Sequence, residues 1–196
     1  MRRGLILATL LATLLLAGLP SQAATTTVQI ADFSFTPATV KVAEGGSVVW
    51  HYDNNGASHH TSTQNGPLAL WDTGLLNPGQ TSSAVTLKAA GVYPYHCSVH
   101  ASMTGKVSVP ILVSPTTGTS ATTFTITLTS ALQSGFTYDV QMKVGTGSFT
   151  LWKSGVTTRT VTFKGAAGTY TFRSRLHKTS GGATSGYSPS KKITIS

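Results

Sequence analysis

The chain has 196 residues and a formal net charge of +9, with five acidic residues against fourteen lysines and arginines. So few carboxylates leave little material for acid–base catalysis, and a single cysteine excludes an internal disulfide bond. A chain of this length forms one large domain or two small ones.

Residues 1–23 are predicted to be a signal peptide. Arg2 and Arg3 precede an apolar run from Leu5 to Leu19, and small residues follow at the expected cleavage site before Ala24. The apolar run is short for a membrane span, and no later stretch is apolar enough to cross a bilayer. We therefore expect a secreted or periplasmic protein with no transmembrane segment in the mature chain, and the export route stays open.

Charge is divided unevenly along the mature chain. Residues 24–113 carry three lysines against four acidic residues, for a net charge of −1, whereas residues 114–196 carry nine lysines and arginines against one aspartate, for +8. Residues 114–120 have the composition of a linker, so we predict one domain over residues 24–113 and a second over residues 121–196.

The basic half is expected to dock on an acidic protein, an anionic cell-wall polymer or lipid headgroups, or to be a solvated basic surface without a partner. We do not expect nucleic acid as a partner, because an exported protein seldom meets it.

Both halves are predicted to consist of short strands separated by turn residues. Segments with β-type alternation in the N-terminal half are residues 28–33, 33–42, 47–52, 84–88, 91–97 and 105–113. Those of the C-terminal half are residues 124–129, 137–143, 149–153, 159–163, 169–176 and 191–195. No window has a convincing helical period, so the sequence predicts an all-β chain, with an antiparallel sandwich in the C-terminal half.

The only cysteine begins a cluster of metal-ligand residue types. Two residues separate Cys97 from His100, and two more separate His100 from Met103. Trigonal coordination by two imidazoles and a thiolate, with a weak axial thioether, is typical of blue-copper electron-transfer sites, whereas zinc sites seldom include a thioether. The second imidazole must come from a distant part of the chain, and the adjacent residues His59 and His60 are the candidates.

One early histidine followed by a late Cys-His-Met loop resembles the ligand pattern of the cupredoxins, the family of plastocyanin and amicyanin. The segment from Tyr95 to Val107 is similar to the short ligand loop of the amicyanin-type members, and the segment from Phe33 to Trp50 resembles the first half of a cupredoxin. The resemblance covers the whole of residues 24–113. It implies a Greek-key β-sandwich that holds one type 1 copper ion.

The same resemblance implies four copper ligands: His60, Cys97, His100 and Met103. In related sequences the early ligand follows an Asn pair and precedes Thr, which favours His60 over His59. Adjacent side chains of an extended segment also point to opposite faces, so only one of the two histidines is expected to reach the metal. His59 stands where many members carry proline and stays open as the alternative ligand.

Two further segments bear on domain identity and docking. Residues 168–175 with residues 185–189 resemble the end of a fibronectin type III domain, which implies an immunoglobulin-like sandwich, although Leu128 stands where that family often has tryptophan. In the loop-rich stretch of residues 65–82, we expect most apolar side chains to fill the core. One or two of them are expected to form an exposed apolar patch around His100.

The pattern as a whole predicts an exported type 1 copper protein, a one-electron carrier that cycles between Cu(I) and Cu(II) without enzymatic activity. A redox partner is expected to dock near His100, the exit for the electron. One alternative is an extracytoplasmic copper-binding protein for scavenging or delivery, and another is a surface-attachment protein that acts through its basic C-terminal domain. An intact Met103 beside a buried thiolate favours the carrier.

Overall fold

A computed structural model describes residues 24–196, in which the chain is built from β-strands and loops. The predicted signal peptide, residues 1–23, lies outside this range. Within residues 24–196, no helix is long and apolar enough to cross a membrane. The prediction of an all-β chain is confirmed.

The N-terminal sandwich contains eight strands. They are β1 (Thr25–Ala31), β2 (Ser34–Thr36), β3 (Thr39–Lys41), β4 (Ser47–Tyr52), β5 (Thr63–Gln64), β6 (Val85–Thr86), β7 (Gly91–His96) and β8 (Thr104–Val109). Two four-stranded sheets have the orders β2-β1-β4-β6 and β3-β8-β7-β5. Strands β1 and β4 are parallel, as are β3 and β8, whereas the other neighbours are antiparallel.

Alternating burial along the central strands explains the two-sheet arrangement. In β4, Val48, Trp50 and Tyr52 are buried, and the residues between them are only half-buried. The Trp50 ring stacks on that of Trp71 with centroids 5.7 Å apart and meets the Tyr95 ring edge-on at 5.4 Å. Aromatic side chains from both sheets therefore fill the space between them.

The C-terminal sandwich contains eight strands. They are β9 (Leu112–Ser114), β10 (Thr117–Gly118), β11 (Phe124–Thr127), β12 (Phe136–Val144), β13 (Thr150–Val156), β14 (Thr160–Phe163), β15 (Gly168–Lys178) and β16 (Lys191–Ile195). Three strands form a sheet of order β14-β11-β9, and five form a sheet of order β10-β16-β15-β12-β13. All six strands predicted for this half are present, while its fibronectin type III identity stays a prediction.

The predicted strand at residues 105–113 is divided in the structure. Strand β8 ends at Val109, and β9, which begins at Leu112, pairs with β11 of the C-terminal sandwich. Pro110 lies at the break and has no N–H for a continuous ladder. The single-strand prediction is therefore wrong, and part of the predicted linker, residues 114–120, forms β10 beside β16. The domain bounds at residues 113 and 121 stay a prediction.

Backbone hydrogen bonds join the two sandwiches. Val92 and Gly186 each donate an N–H to the other's carbonyl at 2.9 Å, and the Ala90 N–H donates to the Leu128 carbonyl at 2.9 Å. One continuous cluster of buried hydrophobic residues also runs through both halves. This junction lies at the beginning of β7, and the other end of β7 leads directly to Cys97.

Candidate metal centre

Three metal-binding side chains converge at one end of the N-terminal sandwich. The Cys97 sulfur lies 3.8 Å from Nδ1 of His60 and 3.7 Å from Nδ1 of His100, and the two imidazole nitrogens are 3.1 Å apart. His60 and Cys97 have 0% exposure, whereas His100 is half-buried and His59 is exposed. The structure thus brings His60, and not His59, to the cysteine.

The loop between β7 and β8 positions the later part of this group. The Cys97 N–H donates to the Met103 carbonyl at 3.0 Å, and the Met103 N–H donates to the His100 carbonyl at 2.9 Å. These bonds close the loop on itself, and Met103 is buried. The role of Met103 as an axial ligand stays a prediction.

The early loop is tied to the same centre by its own backbone. His60 and Leu76 exchange backbone hydrogen bonds of 3.2 and 2.7 Å. The Thr61 N–H points at the Cys97 sulfur at 3.3 Å, and the Thr61 hydroxyl accepts a bond from the Ser98 N–H at 2.8 Å. Two chain segments more than 30 residues apart are therefore locked together around the sulfur.

A carboxylate lies on the outer side of His60. Asp32 accepts hydrogen bonds from the Tyr52 hydroxyl, from the Ala57 N–H at 3.0 Å and from His60 Nε2 at 3.3 Å. The Tyr52 hydroxyl above all, and then the Ala57 N–H and His60, lower the pKa of Asp32 to about 2. With Nε2–H directed at this carboxylate, His60 presents the Nδ1 lone pair to the centre. An outer carboxylate of this kind orients a metal-binding histidine and raises its basicity.

An exposed aromatic residue lies on the outer side of His100. Phe33 is 60% exposed, and its ring meets that of His100 edge-on with centroids 4.8 Å apart. Its backbone φ of 67° is uncommon for a residue with a side chain, and this conformation costs about 1–3 kcal/mol of free energy. The Ser58 hydroxyl lies 3.3 Å from His100 Nε2. The imidazole edge that faces outward is thus held between an aromatic ring and a hydroxyl.

The apolar residues of the 65–82 stretch divide between core and surface, and the predicted apolar patch that they form around His100 stays a prediction. Leu68 and Trp71 are buried, Leu70 is half-buried, and Leu75 is exposed. Val99, which precedes His100, is a further exposed apolar side chain. Most of the leucine and tryptophan side chains of this stretch therefore lie in the core or against it.

Asp32, Phe33 and Thr61 are site residues that sequence reasoning missed. Asp32 and Phe33 form the two-residue turn between β1 and β2, where Ala31 pairs with Ser34. Two alternating segments separated by two residues do indicate a hairpin, and this signal was available in the sequence. No spacing rule, however, connects that turn to histidines 28 or more residues away.

The donor atoms suit a copper ion. Donor separations of 3.1 to 3.8 Å can be spanned by metal–nitrogen and metal–sulfur bonds of about 2.0 and 2.3 Å. Imidazole and thiolate ligands are those that copper and zinc prefer, and a thioether in the same ligand loop, that of Met103, favours copper. The donor set therefore fits the cofactor predicted from the sequence.

A protein-family model for the cupredoxin-like domain matches residues 4–109, which is more than half of the chain. The chain belongs to the cupredoxin-like family. Family membership confirms the resemblance found in the sequence and, with the donor set of His60, Cys97 and His100, identifies one copper ion as the cofactor.

Similar solved structures include mutants of amicyanin. The reduced Cu(I) form of a proline-to-glycine mutant at pH 4 is 26% identical with a TM-score of 0.40, and the reduced state of a proline-to-phenylalanine mutant is 28% identical with a TM-score of 0.38. Each match covers 47% of this chain and 87% of the amicyanin chain. A comparison with curated proteins gave no match.

Proposed function

We propose that this cupredoxin is an exported type 1 copper protein that carries single electrons, with His60, Cys97, His100 and Met103 as the copper ligands. The observation that carries the proposal is the convergence of two imidazole nitrogens and one thiolate sulfur within 3.8 Å of one another. When bound at such a set, copper supplies one-electron chemistry between Cu(I) and Cu(II).

The surrounding residues support electron transfer rather than substrate turnover. His60, Cys97 and Met103 are buried and exclude water from the centre. Four protein ligands leave no coordination position for a substrate, so we propose no enzymatic activity. The Asp32 carboxylate accepts a hydrogen bond from His60, and the Thr61 N–H donates one to Cys97; both hold the ligand side chains in place, which keeps rearrangement between oxidation states small.

His100 is proposed as the exit for the electron because it is the one partly exposed side chain among the three converging donors. The exposed Phe33 ring meets it edge-on, and the preceding residue in the loop, Val99, is also exposed. Exposed apolar patches on soluble proteins mark docking sites. A redox partner is therefore proposed to dock over His100, in an extracytoplasmic compartment.

Visible absorption of the purified mature protein after addition of Cu(II) tests the ligand set. We expect an intense thiolate-to-copper band that Cys97→Ser abolishes and Met103→Leu shifts. His60→Ala is expected to remove or greatly weaken the band, whereas the matched variant His59→Ala keeps it because His59 is exposed. A reversible one-electron wave in voltammetry is expected from the same sample.

Three other outcomes would contradict the type 1 centre, the choice of His60 as ligand or the electron-transfer function. A colourless wild-type protein contradicts electron transfer by a type 1 centre. A band that survives His60→Ala but not His59→Ala moves the early ligand to His59. Copper that passes to an external chelator within seconds, without a reversible wave, favours scavenging or delivery over electron transfer.

A further inference from the structure

The surface of the C-terminal sandwich has almost no negative charge. Residues 114–196 contain nine lysines and arginines and one acidic residue, Asp139. Asp139 is buried, and its carboxylate is bound by Arg175 Nη2 at 3.0 Å and by the Ser154 hydroxyl at 3.0 Å. In the described part of this half, the other lysines and arginines therefore have no side-chain carboxylate of the same half with which to pair.

The hairpin between β12 and β13 combines exposed apolar side chains with cations. Val144, the last residue of β12, is 54% exposed, and Leu151, which pairs with Gln141 farther from the turn, is 57% exposed. Lys143 Nζ lies 5.3 Å from the centre of the Phe149 ring, and the Arg173 guanidinium lies 4.0 Å from the same ring. Phe149 thus holds two positive charges on the same hairpin as the exposed Val144 and Leu151.

This hairpin lies at the end of its sheet that is remote from the N-terminal sandwich. At the near end, β12 begins opposite Lys178, whose Nζ donates to the Pro67 carbonyl at 3.0 Å. At the remote end, Val144 pairs with Tyr170 near the start of β15. The loop that leads into β15 contributes the exposed Lys164 at this same end.

We propose that the β12–β13 hairpin binds the surface of an anionic phospholipid membrane. Val144 and Leu151 enter the headgroup region, and Lys143, Lys164 and Arg173 meet the lipid phosphates. Apolar burial and attraction to anionic lipid act together in interfacial binding. A purely electrostatic partner, such as an acidic polymer, would use the cations but leave the two exposed aliphatic side chains in water, so the observations favour a membrane.

Such binding leaves the metal centre accessible. Strand β7 runs from the junction with the C-terminal sandwich to Cys97, so the centre and the hairpin lie at the outer ends of the two sandwiches. A membrane-attached molecule could therefore still present His100 to a redox partner. The inference goes beyond the proposed function, and it requires no copper.

Co-sedimentation of the metal-free mature protein with vesicles tests this inference. We expect binding to phosphatidylcholine vesicles that contain about one-third phosphatidylglycerol, and little binding to phosphatidylcholine alone, because anionic lipid attracts basic groups. Raising the salt concentration is expected to weaken binding. Lys143→Gln and Lys164→Gln are each expected to reduce the vesicle partition coefficient about fivefold, whereas Lys41→Gln on the N-terminal sandwich leaves it unchanged.

The apolar contribution has its own matched control. The double variant Val144→Ser with Leu151→Ser is expected to lower the partition coefficient at least fivefold. Leu132→Ser removes a similarly exposed side chain, 53% accessible, near the junction and should not change it. Far-UV circular dichroism verifies that each variant is folded.

Two results would overturn the inference. One is equal binding to neutral and anionic vesicles, or none to either. The other is binding that soluble polyglutamate abolishes and that the double serine variant leaves unchanged, since an acidic polymer would then be the partner. Because the measurement uses metal-free protein, neither result bears on the copper spectrum.

Discussion

Asp32 connects a surface turn to the metal centre through a single imidazole. Its carboxylate accepts from His60 Nε2 at 3.3 Å while the Tyr52 hydroxyl and the Ala57 N–H hold the carboxylate itself in place. His60 is fully buried, and Asp32, whose side chain is 31% exposed, lies between its Nε2 and the solvent. The orientation of the early histidine thus depends on a residue that does not face the sulfur.

Replacement of Asp32 by asparagine is expected to lower copper affinity. The amide keeps the shape of the side chain but removes the negative charge that favours His60 with its Nδ1 lone pair toward the centre, and losses of about 10- to 100-fold are usual for such outer partners. Competition with a chelator of known affinity measures the loss. Asp53→Asn changes an exposed acidic residue of the neighbouring loop and serves as the control. Equal affinities of the two variants would show that Asp32 does not orient His60.

The turn between β3 and β4 packs against the C-terminal sandwich and buries the carboxylate of Glu44, which has an electrostatic cost. Both carboxylate oxygens of Glu44 are buried without a hydrogen-bond partner in the described part of the chain. Burial raises the pKa of Glu44 to about 8, and Arg159 of the C-terminal sandwich lowers it only in part. Gly45 of the same turn lies against Ser130, so the turn contacts the other half of the chain.

A raised carboxyl pKa predicts stability that decreases as pH rises. Below pH 4.5 both folded and unfolded states are protonated at Glu44; between pH 4.5 and about 8 only the unfolded state ionises, which favours unfolding. Glu44→Gln is therefore expected to be more stable than wild type at pH 8.5, by about 1 kcal/mol after allowance for solvent screening, and closer to it at pH 4.5. Urea unfolding at both pH values measures the difference. Asp72→Asn is the exposed control, and pH profiles of wild type and Glu44→Gln that run parallel would contradict the expectation.

At the scale of the whole molecule, the two sandwiches share one core. The reciprocal bonds between Val92 and Gly186 extend backbone pairing across the junction, and buried hydrophobic side chains continue from one half to the other. Contacts of this kind couple the unfolding of neighbouring domains. We therefore expect the wild-type chain to unfold in a single cooperative transition.

Gly91→Ala tests how tightly the side chains at this junction are packed. A Cβ at Gly91 would lie 2.6 Å from the Ser185 hydroxyl oxygen and 2.9 Å from the Tyr93 ring, so the variant is expected to lose about 1–3 kcal/mol by overpacking. Gly147→Ala, where the Cβ meets the Val144 carbonyl at 3.2 Å, is the milder control. Chemical unfolding followed by circular dichroism gives both stabilities. Two separated transitions in the wild-type protein would show that the sandwiches unfold independently.

Features that depend on near neighbours along the chain can be predicted from the amino-acid sequence. Alternation of apolar residues identified most strands, because side chains of a strand point to opposite faces in turn. Cys97, His100 and Met103 were recognised together because one short loop contains all three. Their spacing, with two candidate histidines upstream, was enough to predict a copper centre in an all-β chain, and the family match confirms that cofactor.

Contacts between residues that are distant in sequence depend on how the folded chain packs. It exposes His59 and buries His60 beside Cys97, and it brings Asp32 to His60 across 28 positions of sequence. It also pairs β9 with β11, although the sequence predicts continuation of β8. Sequence periodicity encodes the direction of a side chain relative to its own strand, whereas the partner across the core is set by how the sheets pack.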